Sequence, residues 1–159
     1  MSYRVGIGYD IHRMVPGRTL VLGGVTIPYE KGLLGHSDAD VIVHAVCDAI
    51  LGALASEDIG ALYPDTSPAT KGMSSLSMLR DIAGGVASSF RIVNIDVNCI
   101  CEAPRLSGYR SAMASSIAGA AGVDASRVSV KFRTHEGLGA LGAGEAVAAQ
   151  AVVLLERKL

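Results

Sequence analysis

The sequence predicts a layered domain built from α-helices and β-strands. Residues 3–10 and 92–101 alternate apolar and polar side chains, which is typical of strands with one buried face. Between them, residues 37–54 repeat apolar side chains at helical spacing. Strands interleaved with helices favour a layered architecture, and a length of 159 residues is typical of one domain. We therefore expect residues 1–159 to form a single α+β domain.

The first strand, residues 3–10, is expected to bury Tyr3, Val5 and Ile7 and to end at Asp10. The elements expected after it are a hairpin at 19–22 and 25–29, a flexible loop at 31–35, a helix at 37–54, a long loop at 55–72, a helix at 74–90, a strand at 92–101, a helix at 108–121, a strand at 128–134 and a glycine-rich segment at 135–145.

Local patterns support the hairpin and the first helix. Gly23 and Gly24 tolerate the positive φ values of a tight turn. Ser37 is followed three residues later by Asp40, which matches the capping-box pattern, so the helix should begin at Ser37. Residues 146–156 are ambiguous, because their alanines favour a helix whereas their valines and leucines favour a strand.

Composition narrows the classes of function. Fourteen basic residues against fifteen acidic ones leave a formal charge of −1, so nothing indicates electrostatic binding to nucleic acid or to a membrane surface. Half of the residues are hydrophobic although the chain has no tryptophan, and contact between copies of the chain would explain that excess. We expect partners that are small molecules or further copies of the chain.

The cysteines and the apolar segments indicate the compartment. Cys47, Cys99 and Cys101 are odd in number and lack CxxC spacing, so we expect buried free thiols rather than disulfides or a zinc knuckle. No segment approaches the ~18 uninterrupted apolar residues of a membrane span. We predict a cytoplasmic protein, or the trimmed mature form of a protein from a plastid-type organelle.

Three residues could form a metal site. Asp10 and His12 are two apart in an extended segment and should share one face. His44 on the predicted helix could supply a third ligand, and one carboxylate with two imidazoles suits zinc while leaving a tetrahedral position open. Alternatively, Asp10 caps a turn and His44 is a core histidine hydrogen-bonded to Asp40 or Asp48.

Other polar residues could contact phosphate or a second cation. His36 and Ser37 lie at a predicted helix N-terminus, which attracts anions, although Ser37 could simply be an N-cap. Asp58 and Asp65 lie in the long loop, where such residues are either ligands or turn formers. The Glu136 carboxylate, which follows a predicted strand, could hold a hard cation such as magnesium.

Taken together, these motifs resemble the 2-C-methyl-D-erythritol 2,4-cyclodiphosphate synthase family of the non-mevalonate isoprenoid pathway. The resemblance is carried by "GYDIHR", "GGVTIPYEKGLLGHSDADVIVHAVCDAILGA" and "DIGALYPDT" and spans residues 5 to 155. It implies a mixed β-sheet with helices packed on one face, in a β-α-β-α-β-β order. It also implies that residues 146–156 form a strand and that the chain is a homotrimer with active sites between subunits.

The resemblance further implies an intramolecular phosphoryl transfer on 4-diphosphocytidyl-2-C-methyl-D-erythritol 2-phosphate that releases CMP. Zinc would bind Asp10, His12 and His44, and magnesium or manganese would bind Glu136. His36 and Thr134 would be catalytic, and Asp48 would orient His44 or cap a hydrogen-bond network. A neighbouring chain would supply the cytidine pocket, at residues 101–106. The implied substrate contacts are Asp10, His12, His36, Ser37, Asp58, Ile59, Gly60, Tyr63, Asp65, Cys101, Pro104, Arg105, Leu106, Arg133, Thr134 and Glu136.

Three positions depart from the family pattern. Ala140 and Ala143 replace an aromatic residue and an arginine that, in some members, line the trimer's central cavity and hold an isoprenoid diphosphate. We therefore expect no such effector here. Arg133 stands where a small hydroxyl residue is common, and it would either add a phosphate contact or crowd the pocket.

The sequence leaves two other functions open as alternatives. A zinc hydrolase would use a water activated at the open metal position and would need a nearby base. A non-catalytic trimer would hold its metal structurally, with a fourth protein ligand closing the site.

Overall fold

The computed structural model describes residues 2–158 and contains a five-stranded mixed sheet. Its strands are β1 Tyr3–Pro16, β4 Lys31–Leu33, β5 Phe90–Ile100, β6 Val128–Arg133 and β7 Ala146–Arg157. They lie in the order β4-β1-β7-β5-β6. Strands β5 and β6 are parallel, and the other neighbours are antiparallel. The expected hairpin is confirmed as β2 Leu20–Leu22 paired with β3 Val25–Ile27.

Helices cover one face of this sheet, as expected. They are α1 Val41–Ala53, α2 Ile59–Leu62, α3 Ser75–Val86, α4 Arg110–Ala121 and α5 Gly139–Gly142, and short 3-10 helices occur at Pro68–Thr70, Ser107–Tyr109 and Ala125–Arg127. Helix α1 packs on β1 and β7, α4 packs on β6, and α3 packs against α1 and α4. The order of the longer elements differs from β-α-β-α-β-β in one respect, since α1 and α3 both lie between β1 and β5.

The predicted burial of Tyr3, Val5 and Ile7 is wrong. These side chains are exposed, Val5 by 67% and Ile7 by 64%, and the opposite face of β1 packs on α1. That buried face carries Gly6 and Gly8. A Cβ atom on Gly6 would lie 1.9 Å from the Ala49 carbonyl oxygen, and one on Gly8 would lie 1.9 Å from the Ala45 carbonyl oxygen. Strand and helix therefore touch backbone to backbone, which only glycine permits.

Strand β1 also extends beyond its predicted end at Asp10. It continues to Pro16, and Arg13 still pairs with Ala146 of β7. Residues 31–33, predicted as part of a flexible loop, form strand β4 and pair with the end of β1. Asp10 and His12 therefore lie within a hydrogen-bonded strand, which fixes the direction of both side chains.

Helix α1 is capped by Asp40 and not by Ser37. The Asp40 carboxylate accepts hydrogen bonds from the backbone N–H groups of Val43, Gly23 and Gly24, at 3.2, 2.9 and 2.6 Å. One fully buried side chain thus caps the helix and ties it to the β2–β3 turn. Burial raises the pKa of Asp40 to about 6, although the three N–H donors oppose this shift.

The remaining elements agree with the sequence except at a few boundaries. Helix α3 ends at Val86 and β5 begins at Phe90, so the helix predicted for 74–90 is too long. A register shift lies between Ile92 and Asn94 at the start of β5, where Ile92 is buried. The long loop contains α2 and a 3-10 turn, and the ambiguous last segment is strand β7, as the resemblance implied.

All three cysteines are buried and free, as predicted. Burial raises the pKa of the Cys47 and Cys99 thiols well above the usual value, and it raises that of Cys101 to about 11. Among residues 2–158, no helix is both long enough and apolar enough to cross a membrane.

Candidate active site

Asp10, His12 and His44 converge as the sequence predicted. The Asp10 Oδ2 atom lies 3.0 Å from His12 Nε2 and 2.9 Å from His44 Nδ1. The two ring nitrogens lie 3.3 Å apart. Ligand atoms at about 2.0–2.1 Å from a tetrahedral zinc ion are separated by about 3.3 Å. The three donors therefore occupy positions close to three corners of a zinc tetrahedron, and within residues 2–158 no fourth His, Cys, Asp or Glu joins the group.

The backbone explains this convergence. Asp10 and His12 follow Gly6 and Gly8 at alternate positions of β1, so they share the face that packs on α1. The backbone contact at the two glycines brings α1 close enough for His44 to reach the strand. The His12 Nδ1 atom lies 2.8 Å from the Leu34 carbonyl oxygen, to which it can donate, and this leaves Nε2 free as a ligand.

The electrostatics of the triad favour an ionised Asp10. Burial by itself would raise the pKa of Asp10, but the hydrogen bonds and charges of His12 and His44 outweigh it and hold that pKa well below its usual value. Burial likewise would lower the pKa of His12, but the Asp10 carboxylate raises it. The carboxylate is therefore in the ionised form that a cation requires.

The triad forms part of the wall of a cavity of about 560 Å³. Of the predicted residues, the cavity brings together Asp10, His12, His36, Ser37, His44, Ile59, Gly60, Tyr63 and Asp65. The His36 ring is held through Nε2, 3.1 Å from the Ser67 carbonyl oxygen. Ser37 is not at a helix N-terminus, because α1 begins at Val41. An anion at Ser37 would therefore not lie at the end of the helix dipole.

Two predicted acidic residues have other contacts than expected. Asp58 lies outside this cavity and caps α2 by accepting the Ala61 N–H at 2.9 Å, which is the turn-forming alternative. The Asp48 carboxylate accepts the Ile59 N–H at 2.8 Å and anchors the start of α2, and no hydrogen bond joins it to His44 among those described. Of the two roles implied for Asp48, this contact is the cap of a hydrogen-bond network.

The predicted cytidine residues line a second cavity of about 280 Å³. Its walls include Cys101, Pro104, Arg105, Leu106, Arg133 and Thr134. In the sheet, Ile11 pairs with Ala148, Ala148 with Ile100, and Ile100 with Arg133. Arg133, in the wall of this cavity, is thus three strand spacings, or about 14 Å, from the triad strand, at the same level of the sheet. Within one chain the two cavities are separate.

Glu136 lies in the exposed segment after β6 and lines neither cavity. Its Oε1 atom accepts a hydrogen bond from the Thr134 hydroxyl at 3.0 Å. Its backbone has a φ of 52°, an uncommon conformation for a residue other than glycine. The preceding N–H, that of His135, donates to the Glu102 carboxylate at 3.1 Å, so two contacts shape this segment.

Sequence reasoning did not assign a role to several residues around the two cavities. Thr70 and Met78 line the larger one, Ser75 contacts His44, and Glu102 holds the segment before Glu136. Ser75 and Glu102 meet their partners through contacts 31 and 33 residues apart in the chain. Local spacing carries no signal for contacts at such separations.

Comparison with known proteins places this geometry in a family. The YgbB family model matches residues 3–156. A 2-C-methyl-D-erythritol 2,4-cyclodiphosphate synthase of Burkholderia thailandensis is 51% identical over 99% of this chain and 98% of its own length. The protein of the same name from Desulfosudis oleivorans is 54% identical over 96% of this chain and 91% of its own.

Solved structures agree with the sequence relatives. IspF of Plasmodium falciparum, in a CDP complex, superposes with a TM-score of 0.87 at 38% identity and covers 99% of this chain and 98% of that one. The bifunctional IspDF of Campylobacter jejuni gives a TM-score of 0.94 at 38% identity, and this chain spans 43% of its length. The chain belongs to the YgbB family, in which relatives of this similarity are 2-C-methyl-D-erythritol 2,4-cyclodiphosphate synthases.

Proposed function

We propose that this chain converts 4-diphosphocytidyl-2-C-methyl-D-erythritol 2-phosphate to 2-C-methyl-D-erythritol 2,4-cyclodiphosphate and releases CMP. The enzyme is a phosphorus–oxygen lyase of non-mevalonate isoprenoid precursor biosynthesis, as the names of its relatives indicate. The observation that carries the proposal is the triangle of three ligand atoms, 2.9–3.3 Å apart, in the wall of a 560 Å³ cavity.

The chemistry demands little from the protein beyond alignment. An oxygen of the 2-phosphate forms a bond to the β-phosphorus, and the bond from that phosphorus to the oxygen bridging it to CMP breaks. A phosphate nucleophile is already an anion at neutral pH, so no strong general base is required. Positioning and charge neutralisation supply most of the acceleration in such transfers.

The residues present fit two cations at separate places. Asp10, His12 and His44 would hold zinc, because their O and N atoms already have tetrahedral separations. Bound zinc would act as a Lewis acid on a phosphoryl oxygen. Glu136, an exposed carboxylate, would hold magnesium or manganese.

The chain's own residues have distinct proposed roles. His36, which is oriented by the Ser67 carbonyl oxygen, and Ser37 would contact phosphate on the wall beside the triad. Ile59, Gly60, Tyr63 and Asp65 would enclose the substrate from the long loop. Thr134 would donate to the α-phosphate only by releasing the Glu136 carboxylate, to which its hydroxyl donates. Asp58 would reach the erythritol hydroxyls only by giving up its cap on α2.

We further propose a homotrimer in which the 280 Å³ cytidine cavity of one copy completes the 560 Å³ cavity of the next. Within one chain, β1, which carries Asp10 and His12, lies three strand spacings, or about 14 Å, from β6, whose end lines the cytidine cavity, and the two cavities share no lining residue. A row of exposed apolar side chains supports association: Tyr3, Val5, Ile7, Tyr9 and Ile11 on β1 and Val152 on β7. Apolar patches of this kind commonly mark interfaces between proteins.

Replacing Ile7 by lysine is expected to dissociate the trimer, because the substitution places a charge within the exposed apolar row. Analytical ultracentrifugation should show the mass fall from three chains to one, with loss of turnover. The matched control is Ser88→Lys on the exposed turn after α3, which should leave the mass unchanged. A trimeric Ile7→Lys variant would contradict the proposed interface.

Purified protein incubated with the substrate and Mg²⁺ should release one CMP for each cyclic diphosphate formed.

Glu136→Gln should retain zinc and require a higher Mg²⁺ concentration for half-maximal turnover, because the amide lacks the charge that a hard cation prefers. Metal analysis and a Mg²⁺ titration of CMP release test both statements. A linear hydrolysed product would favour the zinc hydrolase, and no CMP above a zinc-stripped control would refute the synthase.

Other expectations remain predictions. The family match runs over residues 3–156, which supports a single domain over 1–159. The cytoplasmic location is proposed by analogy with bacterial relatives. Absence of an isoprenoid effector follows only from Ala140 and Ala143, which lie on or next to α5.

A further inference from the structure

We propose that Ser75 and Asp38 form a hydrogen-bond relay that holds the His44 proton on Nε2 and thereby keeps Nδ1 available to the metal. The two residues are thus positioning residues, which act through His44 without touching the substrate. The inference rests on the proposed function, because it concerns a ring that would bind zinc.

The two nitrogens of His44 face different partners. Nδ1 lies on the triad side, 2.9 Å from Asp10 Oδ2. Nε2 lies 2.9 Å from the hydroxyl oxygen of Ser75. An imidazole binds a metal ion through a nitrogen lone pair, so the neutral ring must carry its proton on the other nitrogen. Ser75 is therefore placed to accept the Nε2 proton when Nδ1 is the ligand.

Asp38 sets the direction of the relay. A serine hydroxyl can either donate or accept, but an ionised carboxylate only accepts. One Asp38 oxygen accepts the Ser75 hydroxyl proton, and the other accepts the Ser75 backbone N–H at 2.9 Å. The Ser75 proton therefore points to Asp38, and a lone pair of the Ser75 oxygen is left for His44.

Both members of the relay are anchored, and Ser75 is shielded from solvent. Ser75 is the first residue of α3 and is fully buried. Asp38 is tied to the same region, because its N–H donates to the Met73 carbonyl oxygen at 3.2 Å. Asp38 also accepts the Asp40 N–H at 3.2 Å. Burial strengthens such bonds and makes an unpaired partner costly, so loss of one member should be measurable.

Ser37 is the competing partner for His44 Nε2. Its hydroxyl oxygen lies at 3.3 Å, farther than that of Ser75, and it already accepts the Ala39 N–H at 3.1 Å. Ser37 also lines the large cavity. The shorter contact and the carboxylate behind it assign the orienting role to Ser75. His12, in contrast, is oriented by a main-chain carbonyl that no side-chain substitution removes.

The test is zinc affinity, measured on metal-depleted full-length protein by competition with a chromophoric chelator. Ser75→Ala should weaken zinc binding by about 10–100-fold, the range typical for partners of metal ligands. Ser75→Thr, which keeps the hydroxyl, should restore most of it. Ser77→Ala, on the same helix but outside the relay, is the matched control and should bind zinc like the wild type.

A spectroscopic readout separates orientation from general stability. In zinc-loaded wild type, the His44 Nε2–H resonance should be protected from solvent exchange because it is bonded to Ser75, and Ser75→Ala should lose that protection. Unchanged zinc affinity in Ser75→Ala, or an equal loss in Ser37→Ala, would overturn the relay. Failure of the wild type itself to bind zinc would instead overturn the proposed function.

Discussion

Replacing His12 by alanine is expected to abolish zinc binding, which should be about one equivalent per chain in the wild type. The Nε2 atom of His12 is one of three donors 2.9–3.3 Å apart, and its loss leaves two ligands. Lewis-acid stabilisation of several kcal/mol would disappear, so turnover should fall by about 10³ or more. Elemental analysis and single-turnover CMP release measure the two effects.

The control is His135→Ala, because His135 lies outside the large cavity. Among the hydrogen bonds described, its ring contacts only the Leu138 carbonyl oxygen. It should retain the full zinc content. If His12→Ala retained zinc as well, the assignment of the triad would be refuted. If His12→Ala unfolded together with losing zinc, the metal would have a structural role, as the non-catalytic alternative requires.

Replacing Gly8 by alanine is expected to have the largest effect on stability. The added Cβ would lie 1.9 Å from the Ala45 carbonyl oxygen and 2.8 Å from the Ala49 nitrogen, and both are backbone atoms. Helix α1 would have to move away from β1, because backbone in a helix cannot yield as a flexible side chain does. Overpacking commonly costs about 1–3 kcal/mol and sometimes more, and we expect a loss of at least ~3 kcal/mol here.

The same displacement would move His44 away from Asp10 and His12, so zinc should be lost too. Gly84→Ala is the matched control, since Gly84 is exposed within α3 and a Cβ there meets nothing within 4 Å. It should stabilise the chain by about 0.5–1 kcal/mol. Urea unfolding compares the two variants. A Gly8→Ala midpoint equal to that of the wild type would show that the strand–helix contact is looser than described.

The Asp10–His12 half of the triad was predictable because its signal is local, whereas His44, 34 residues from Asp10, was only a candidate until the family resemblance placed it with them. Two residues at positions i and i+2 of a strand share a face whatever the rest of the fold does. The face of β1 that is buried was not predictable from alternation alone, since Tyr3, Val5 and Ile7 satisfy the same period from the solvent side. The usable signal was the repeated glycine, which in a strand indicates close backbone approach.

Features set by distant contacts escaped sequence reasoning. Ser37 matches a local capping pattern, but Asp40 caps the helix because it also meets the N–H groups of Gly23 and Gly24. The Asp58 cap on α2, in contrast, is a local contact, and the turn-forming alternative predicted it. The separation of the two cavities depends on strand order, which no spacing along the chain encodes.

The donor set of the triad has a consequence for oxidative conditions. Its donor atoms are one carboxylate oxygen and two ring nitrogens, while all three thiols are buried elsewhere in the core. Peroxide and disulfide reagents release zinc from thiolate sites because they attack sulfur, and here no sulfur ligates. Burial also raises the pKa of Cys47, Cys99 and Cys101, which keeps them as unreactive thiols. Metal occupancy should therefore be insensitive to the redox state of the medium.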